Sequence, residues 1–119
     1  MGVGDFNGKV DGSGYKTVMD SPKTPIELIP PQFLEGIAAV LQFGAKKYAR
    51  NNWMKGMSWS VVFGSIMRHL WAWFRGEEND PESGLPHLWH AGCGLMFLSF
   101  FAHRLENNPY KTFDDRVFK

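Results

Sequence analysis

A chain of 119 residues fits one domain with one modest core. Its 44% hydrophobic and 15% aromatic content, with 5 Trp and 10 Phe, supplies that core and leaves aromatics over for a subunit interface or a flat ligand. A net charge of +1 provides no global field toward nucleic acid or an anionic membrane, so neither is an expected partner.

Residues 1–24 hold five glycines among scattered polar groups and read as an N-terminal arm without its own core. They show no basic-then-apolar pattern of a signal peptide, and the single cysteine, Cys93, lies in an apolar run. A buried inert thiol in a reducing cytoplasm follows, the host cytoplasm if the chain is phage-encoded. Ile26-Glu27-Leu28-Ile29 is held straight between Pro25 and Pro30. Pro30-Pro31 then opens a first helix over about 31–48, its apolar face carrying Phe33, Leu34, Ile37, Val40, Leu41 and Phe43.

Ala49 to Met57 is a loop without consistent period, and Ser58 is a suitable N-cap for a second helix over about 59–75. That helix is apolar on nearly every face, so it must be covered on more than one side. Gly76 ends it. After an acidic turn, Ser83 or Gly84 caps a third helix with Pro86 in its first turn, running to about Asn107. Its apolar run is long enough to raise a membrane span, but His87, His90 and two glycines argue against one. Gly92 and Gly94 would let another helix approach closely. The tail 108–119 mixes aromatic and charged residues and is a candidate to lie over a neighbouring subunit. The expected fold is all-α: a bundle of three long helices over 25–107, completed by assembly into a homodimer or homotetramer.

The chemistry concentrates between Arg68 and His90. Arg68-His69 interrupts the second helix, Glu77, Glu78, Asp80 and Glu82 crowd the turn, and His87 and His90 open the third helix at i, i+3 spacing. Such groups at the mouth of an apolar bundle need pairing or a cation. Glu77 and Glu78 follow a helix C-terminus, where the dipole disfavours negative charge, which a nearby cation would relieve. The candidate metal ligands are Glu77, Asp80, Glu82, His69, His87 and His90, with Asp80, Glu82, His87 and His90 as the catalytic set. Oxygen ligands suit Mg²⁺ or Mn²⁺, and the added imidazoles bring in Mn²⁺ or Zn²⁺, which leaves Mg²⁺ or Mn²⁺ as the expected cofactor.

A second cluster runs from Gly44 to Gly56. Lys46, Lys47 and Arg50 supply cations for phosphates, with Arg68 as a partner, while Asn52 and Trp53 offer an amide and a ring to a base. Part of that charge is explained by the dipole of the first helix. The chain has neither a Walker loop nor a Gly-x-Gly-x-x-Gly run, which excludes those nucleotide sites.

These residues carry a resemblance. Leu28-Ile29-Pro30-Pro31, Phe43-Gly44-Ala45-Lys46-Lys47-Tyr48, Asn52-Trp53 with Lys55-Gly56, Arg68-His69-Leu70, Gly76-Glu77 with Asp80, Glu82-Ser83-Gly84-Leu85, and His87-Leu88 with His90-Ala91 follow one family's order over about residues 25–105. The chain resembles the phage-type dATP/dGTP diphosphohydrolases, relatives of MazG among the all-α nucleoside-triphosphate pyrophosphatases. The resemblance implies an oligomeric, Mg²⁺- or Mn²⁺-dependent enzyme that cleaves a purine dNTP into its monophosphate and pyrophosphate. The wider MazG group pairs Glu-x-x-Glu on one helix with Glu-x-x-Asp on the next. Here the second helix lacks the first pair, and His87-x-x-His90 stands where the other would be. Either the ligands have moved to the turn acids and Glu35, or the fold sequesters a nucleotide without cutting it.

Overall fold

The computed structural model describes residues 23–104 and 106–119; most of the expected N-terminal arm and Leu105 lie outside the described residues. Among the described residues there are three helices, α1 (Pro31–Lys47), α2 (Trp59–Phe74) and α3 (His87–Ala102), with short 3-10 turns at Ile26–Leu28, Asn52–Lys55 and Pro109–Phe113. The fold is all-α, and among the described residues no helix is long and apolar enough to cross a membrane.

In the unit from Met1 to Pro30, the short turn is closed by Leu28 and Ile29 amides donating to the carbonyls of Pro25 and Ile26 at 3.0 Å each. The remainder, Pro31 to Lys119, forms a second unit in which α3 packs against both other helices, most extensively against α2. The core joins Trp59, Val62 and Ile66 of α2 to Ala91 and Phe101 of α3 and to Tyr110.

Glycines set the helix spacing. A Cβ at Gly36 of α1 would lie 2.5 Å from the Trp89 ring of α3. At Gly92 it would lie 2.7 Å from Phe33, and at Gly94 2.5 Å from Ile66. Gly92 and Gly94 therefore admit α1 and α2 of the same chain.

The ends of α2 follow two different rules. Gly76, at φ +101°, closes its C-terminus: the Glu77 amide donates to Ala72 O and the Gly76 amide to Trp73 O, the paired bonds of a Schellman motif. At the N-terminus Ser58 occupies the cap position but its side chain makes no capping bond. Asp115 does that work from the far end of the chain, accepting from Ser60 N at 2.9 Å and from Ser60 Oγ at 2.5 Å.

Helix α3 stops at Ala102, earlier than the expected Asn107. Asn108 Nδ2 donates to Phe101 O at 2.7 Å, filling the place a further helical amide would take. The same side chain accepts from Tyr110 N, and the Tyr110 hydroxyl donates to Met54 O at 2.6 Å. The tail at Pro109–Phe113 is thus fastened to its own core.

Candidate functional site

Three segments converge on one end of the bundle. Helix α2 contributes His69 from its penultimate turn. The Schellman reversal at Gly76 then starts a tight loop, closed by an antiparallel bridge between Asn79 and Pro86. Within it Asp80 N donates to Leu85 O at 2.8 Å and Gly84 N to Asp80 O at 2.7 Å. The Asp80 side chain also accepts from Ser83 N at 2.9 Å. This wrapping fixes Asp80 and delivers α3 with His87 and His90 facing His69.

His87 is 3% exposed and uses both ring nitrogens. Its Nε2 lies 2.8 Å from Glu77 Oε1, and its Nδ1 lies 2.8 Å from His69 Nδ1. His69 is sandwiched on its other side by His90, with ring centroids 4.6 Å apart and planes 7° from parallel. His90 Nε2 lies 2.7 Å from Ser83 Oγ and 3.9 Å from Asp80 Oδ2. Phe43 of α1 meets the His90 ring edge-on at 6.4 Å.

The electrostatics follow from crowding. Burial holds the His69 imidazole below its usual range, and the neighbouring His90 adds to this. His90 is lowered chiefly by burial as well, against the opposing pull of Asp80. For Asp80, burial would raise the carboxyl, but the Ser83 amide and hydroxyl together with His90 and His69 outweigh it and hold the group low. Two neutral imidazoles beside an ionised carboxylate make a donor set suited to a divalent cation. One ligand atom each from His69, Asp80 and His87 falls within 4.8 Å of the others, a spacing one ion could close.

A cavity of about 1210 Å³ opens beside this cluster, walled by α1, the Ala49–Gly56 loop, α2 and α3. Its polar lining includes His69, Asp80, Glu82, His90, Lys47 and Glu35. Its apolar lining includes Trp53, Met57, Met96 and Phe97. Arg50 and Asn52 also face it. At the rim Lys47 Nζ pairs with Glu82 Oε2 at 2.7 Å, which raises the lysine. Cys93 lies against the cavity with its thiol pushed up to about 11 by burial, so it is inert.

The structure sorts the residues singled out in the sequence. His69, Asp80, His87 and His90 form one contiguous group, with Glu77 behind His87 and Glu82 turned to Lys47. Lys46 and Arg68 do not line the cavity, and Arg68 folds along its own helix over Gly64. Trp53 stacks on Phe97 at 4.6 Å and 24°, so one of its faces is already covered by core. The sequence offered Ser83 or Gly84 as the cap of the third helix; Pro86 holds that position, and Ser83 is a partner of His90. Its position between an acid and a helix start suggested the cap, and nothing local in the sequence pointed to a histidine seven residues on.

The sequence profile of the dATP/dGTP diphosphohydrolase, N-terminal family matches residues 13–116. A dATP/dGTP diphosphohydrolase of Salmonella phage PMBT28 is 39% identical over 97 residues, covering 82% of this chain. The chain spans 31% of that relative's length. No solved structure matches it. A profile match that takes in all three helices and the whole His–Asp cluster settles the kinship: the chain belongs to the dATP/dGTP diphosphohydrolase N-terminal family.

Proposed function

We propose that this chain carries the active site of a metal-dependent nucleoside triphosphate pyrophosphohydrolase, converting purine dNTPs, dATP or dGTP, to the monophosphate and pyrophosphate. The observation that carries the reading is the His69–Asp80–His87 cluster placed beside a cavity large enough for a nucleotide. The phage relative named for this activity supports the substrate class. The wider kinship with MazG rests on the resemblance of the sequence.

In this reading His69, Asp80 and His87 hold Mn²⁺ or Mg²⁺, and His90 and Glu82 flank them. A bound ion would supply the charge to neutralise the triphosphate and to polarise the α-phosphorus. Lys47 and Arg50 bind the phosphates, Lys47 exchanging Glu82 for a phosphate oxygen. His90, kept neutral by burial, is free to orient or accept a proton from the attacking water, and Ser83 holds its ring in place. The base lies against the apolar lining that includes Trp53, with the Asn52 amide available to it. Binding without cutting, a nucleotide-sequestering role, needs the same cavity but no metal.

Incubation with dATP, dGTP and the pyrimidine triphosphates, with Mn²⁺, tests the proposal by pyrophosphate release. Release from the purine substrates is expected. No pyrophosphate from any of them, with tight nucleotide binding in EDTA, would replace hydrolysis by sequestration.

A further inference from the structure

His87 is nearly sealed from solvent, yet each of its ring nitrogens has a partner of a different kind. On the Nε2 side stands a carboxylate, Glu77 Oε1 at 2.8 Å, which accepts and does not donate. The proton of a neutral His87 therefore resides on Nε2, and Nδ1 carries the lone pair. In the metal-free chain that pair accepts from His69 Nδ1–H at 2.8 Å. One ligand atom of Asp80 lies within 4.8 Å of one from each of these histidines. The contact to Glu77 is held in register by the backbone on both sides. Glu77 N donates to Ala72 O at 3.0 Å, and the carbonyl of the next residue, Glu78, accepts from His87 N at 2.9 Å.

We propose that Glu77 is a positioning residue: it fixes His87 as the Nε2–H tautomer, so that Nδ1 is presented as a lone-pair donor toward His69 and Asp80, and Glu77 itself stays outside the ligand set. The two ring nitrogens point away from each other. An ion bonded to Nδ1 at ~2.1 Å would lie well beyond bonding distance of an oxygen hydrogen-bonded to Nε2. A carboxylate behind a ligating histidine raises the basicity of the ligand and holds its ring still. The metal part of this inference rests on the reading under Proposed function; the tautomer part does not.

The experiment is a long-range ¹⁵N–¹H correlation spectrum of the ¹⁵N-histidine-labelled chain, without metal, followed by a Mn²⁺ titration. In the native chain His87 should show a protonated Nε2 and an unprotonated Nδ1. Glu77→Gln, nearly isosteric, can either donate or accept, so His87 should become a mixture of tautomers and Mn²⁺ should bind about 10–100-fold more weakly. Glu77→Asp, which keeps an acceptor, should restore the native pattern in part. A His87 that remains wholly Nε2–H in Glu77→Gln overturns the proposal, as does Mn²⁺ affinity unchanged by that substitution. If the tautomer responds as expected but the native chain binds no Mn²⁺, the proposal holds for His87 and the metal reading of the site fails.

Discussion

His69 of α2 and His90 of α3 stack face to face, centroids 4.6 Å apart, and neither ring has room to carry a charge without meeting the other. Each is held below its usual range mainly by burial; charge on His90 lowers His69 further, and charge on His87 lowers His90. The pair is built to stay neutral, the state in which imidazole offers an electron pair.

The first prediction is the pH dependence of stability. With folded values below the ordinary 6.5, the unfolded chain binds these protons more readily than the folded one. Their contribution is complete above about pH 6.5 and is lost as the pH falls through the folded values. Asp80, also lowered, acts in the same direction further down, losing its contribution as pH falls below 3.8 through its folded value. The melting temperature should therefore decline from neutral pH into the acid range. His90→Gln should flatten that decline below about pH 6.5. A melting temperature that rises on acidification would reverse the sign and discard the account.

Asp80 offers a cleaner catalytic test than His87. Removing the buried His87 ring would leave a hole and strand a donor on His69, at a cost of ~1–3 kcal/mol in stability. Asp80→Asn keeps an oxygen to accept from Ser83 N and so keeps the loop. It should lower turnover by more than about 100-fold, since even an outer-shell change costs 10–100-fold. Far-ultraviolet dichroism should be unchanged. Full activity in this variant would move the site elsewhere, with Glu35, which also lines the cavity, next in line.

How far the sequence could be read depended on the range of each interaction. The starts of α1 and α2 are local events: Pro31 suits a first turn, and the apolar run begins at Trp59. The C-terminus of α2 is equally local, written in Gly76. The true caps are not. Asp115 reaches Ser60 from 55 residues away, and only folding reveals that Ser58 is relieved of the task. The end of α3 likewise depends on Asn108 turning back to Phe101. In the site, the i, i+3 spacing placed His87 and His90 on one side of α3, and both meet His69. What it could not show is that His69 slides between their roles, bonded to one and stacked on the other. Trp53 was read by residue type as a base platform, but the Phe97 that covers it lies 44 residues on, and packing took one face first.

Two glycines of α1 should respond oppositely to the same substitution. Gly36→Ala would drive a methyl to within 2.5 Å of Trp89, an overpacking that costs typically ~1–3 kcal/mol. At Gly44 a Cβ meets nothing within 4 Å, so Gly44→Ala should stabilise by ~0.4–1 kcal/mol through a less flexible unfolded chain. Urea denaturation of the two variants checks both signs. Equal effects would mean that Trp89 does not sit in the Gly36 notch.

Assembly is the last prediction. Along α2, Phe63, Met67, Trp71 and Phe74 recur at i, i+4, i+8 and i+11, a single stripe, and are 55, 38, 56 and 73% exposed. Full burial of such side chains stabilises by ~1.5–3 kcal/mol each, so covering the exposed fractions would contribute ~3–7 kcal/mol per protomer. That is comparable to the net stability of a small domain, too much apolar surface to leave wet without consequence. We therefore expect a homodimer or a dimer of dimers built on α2. Trp71→Glu should place a charge in the middle of the stripe and shift the population to monomer, with the helical dichroism retained. Light scattering across micromolar concentrations reads the result directly. A native chain that runs as a stable 13.6 kDa monomer would refute the expectation.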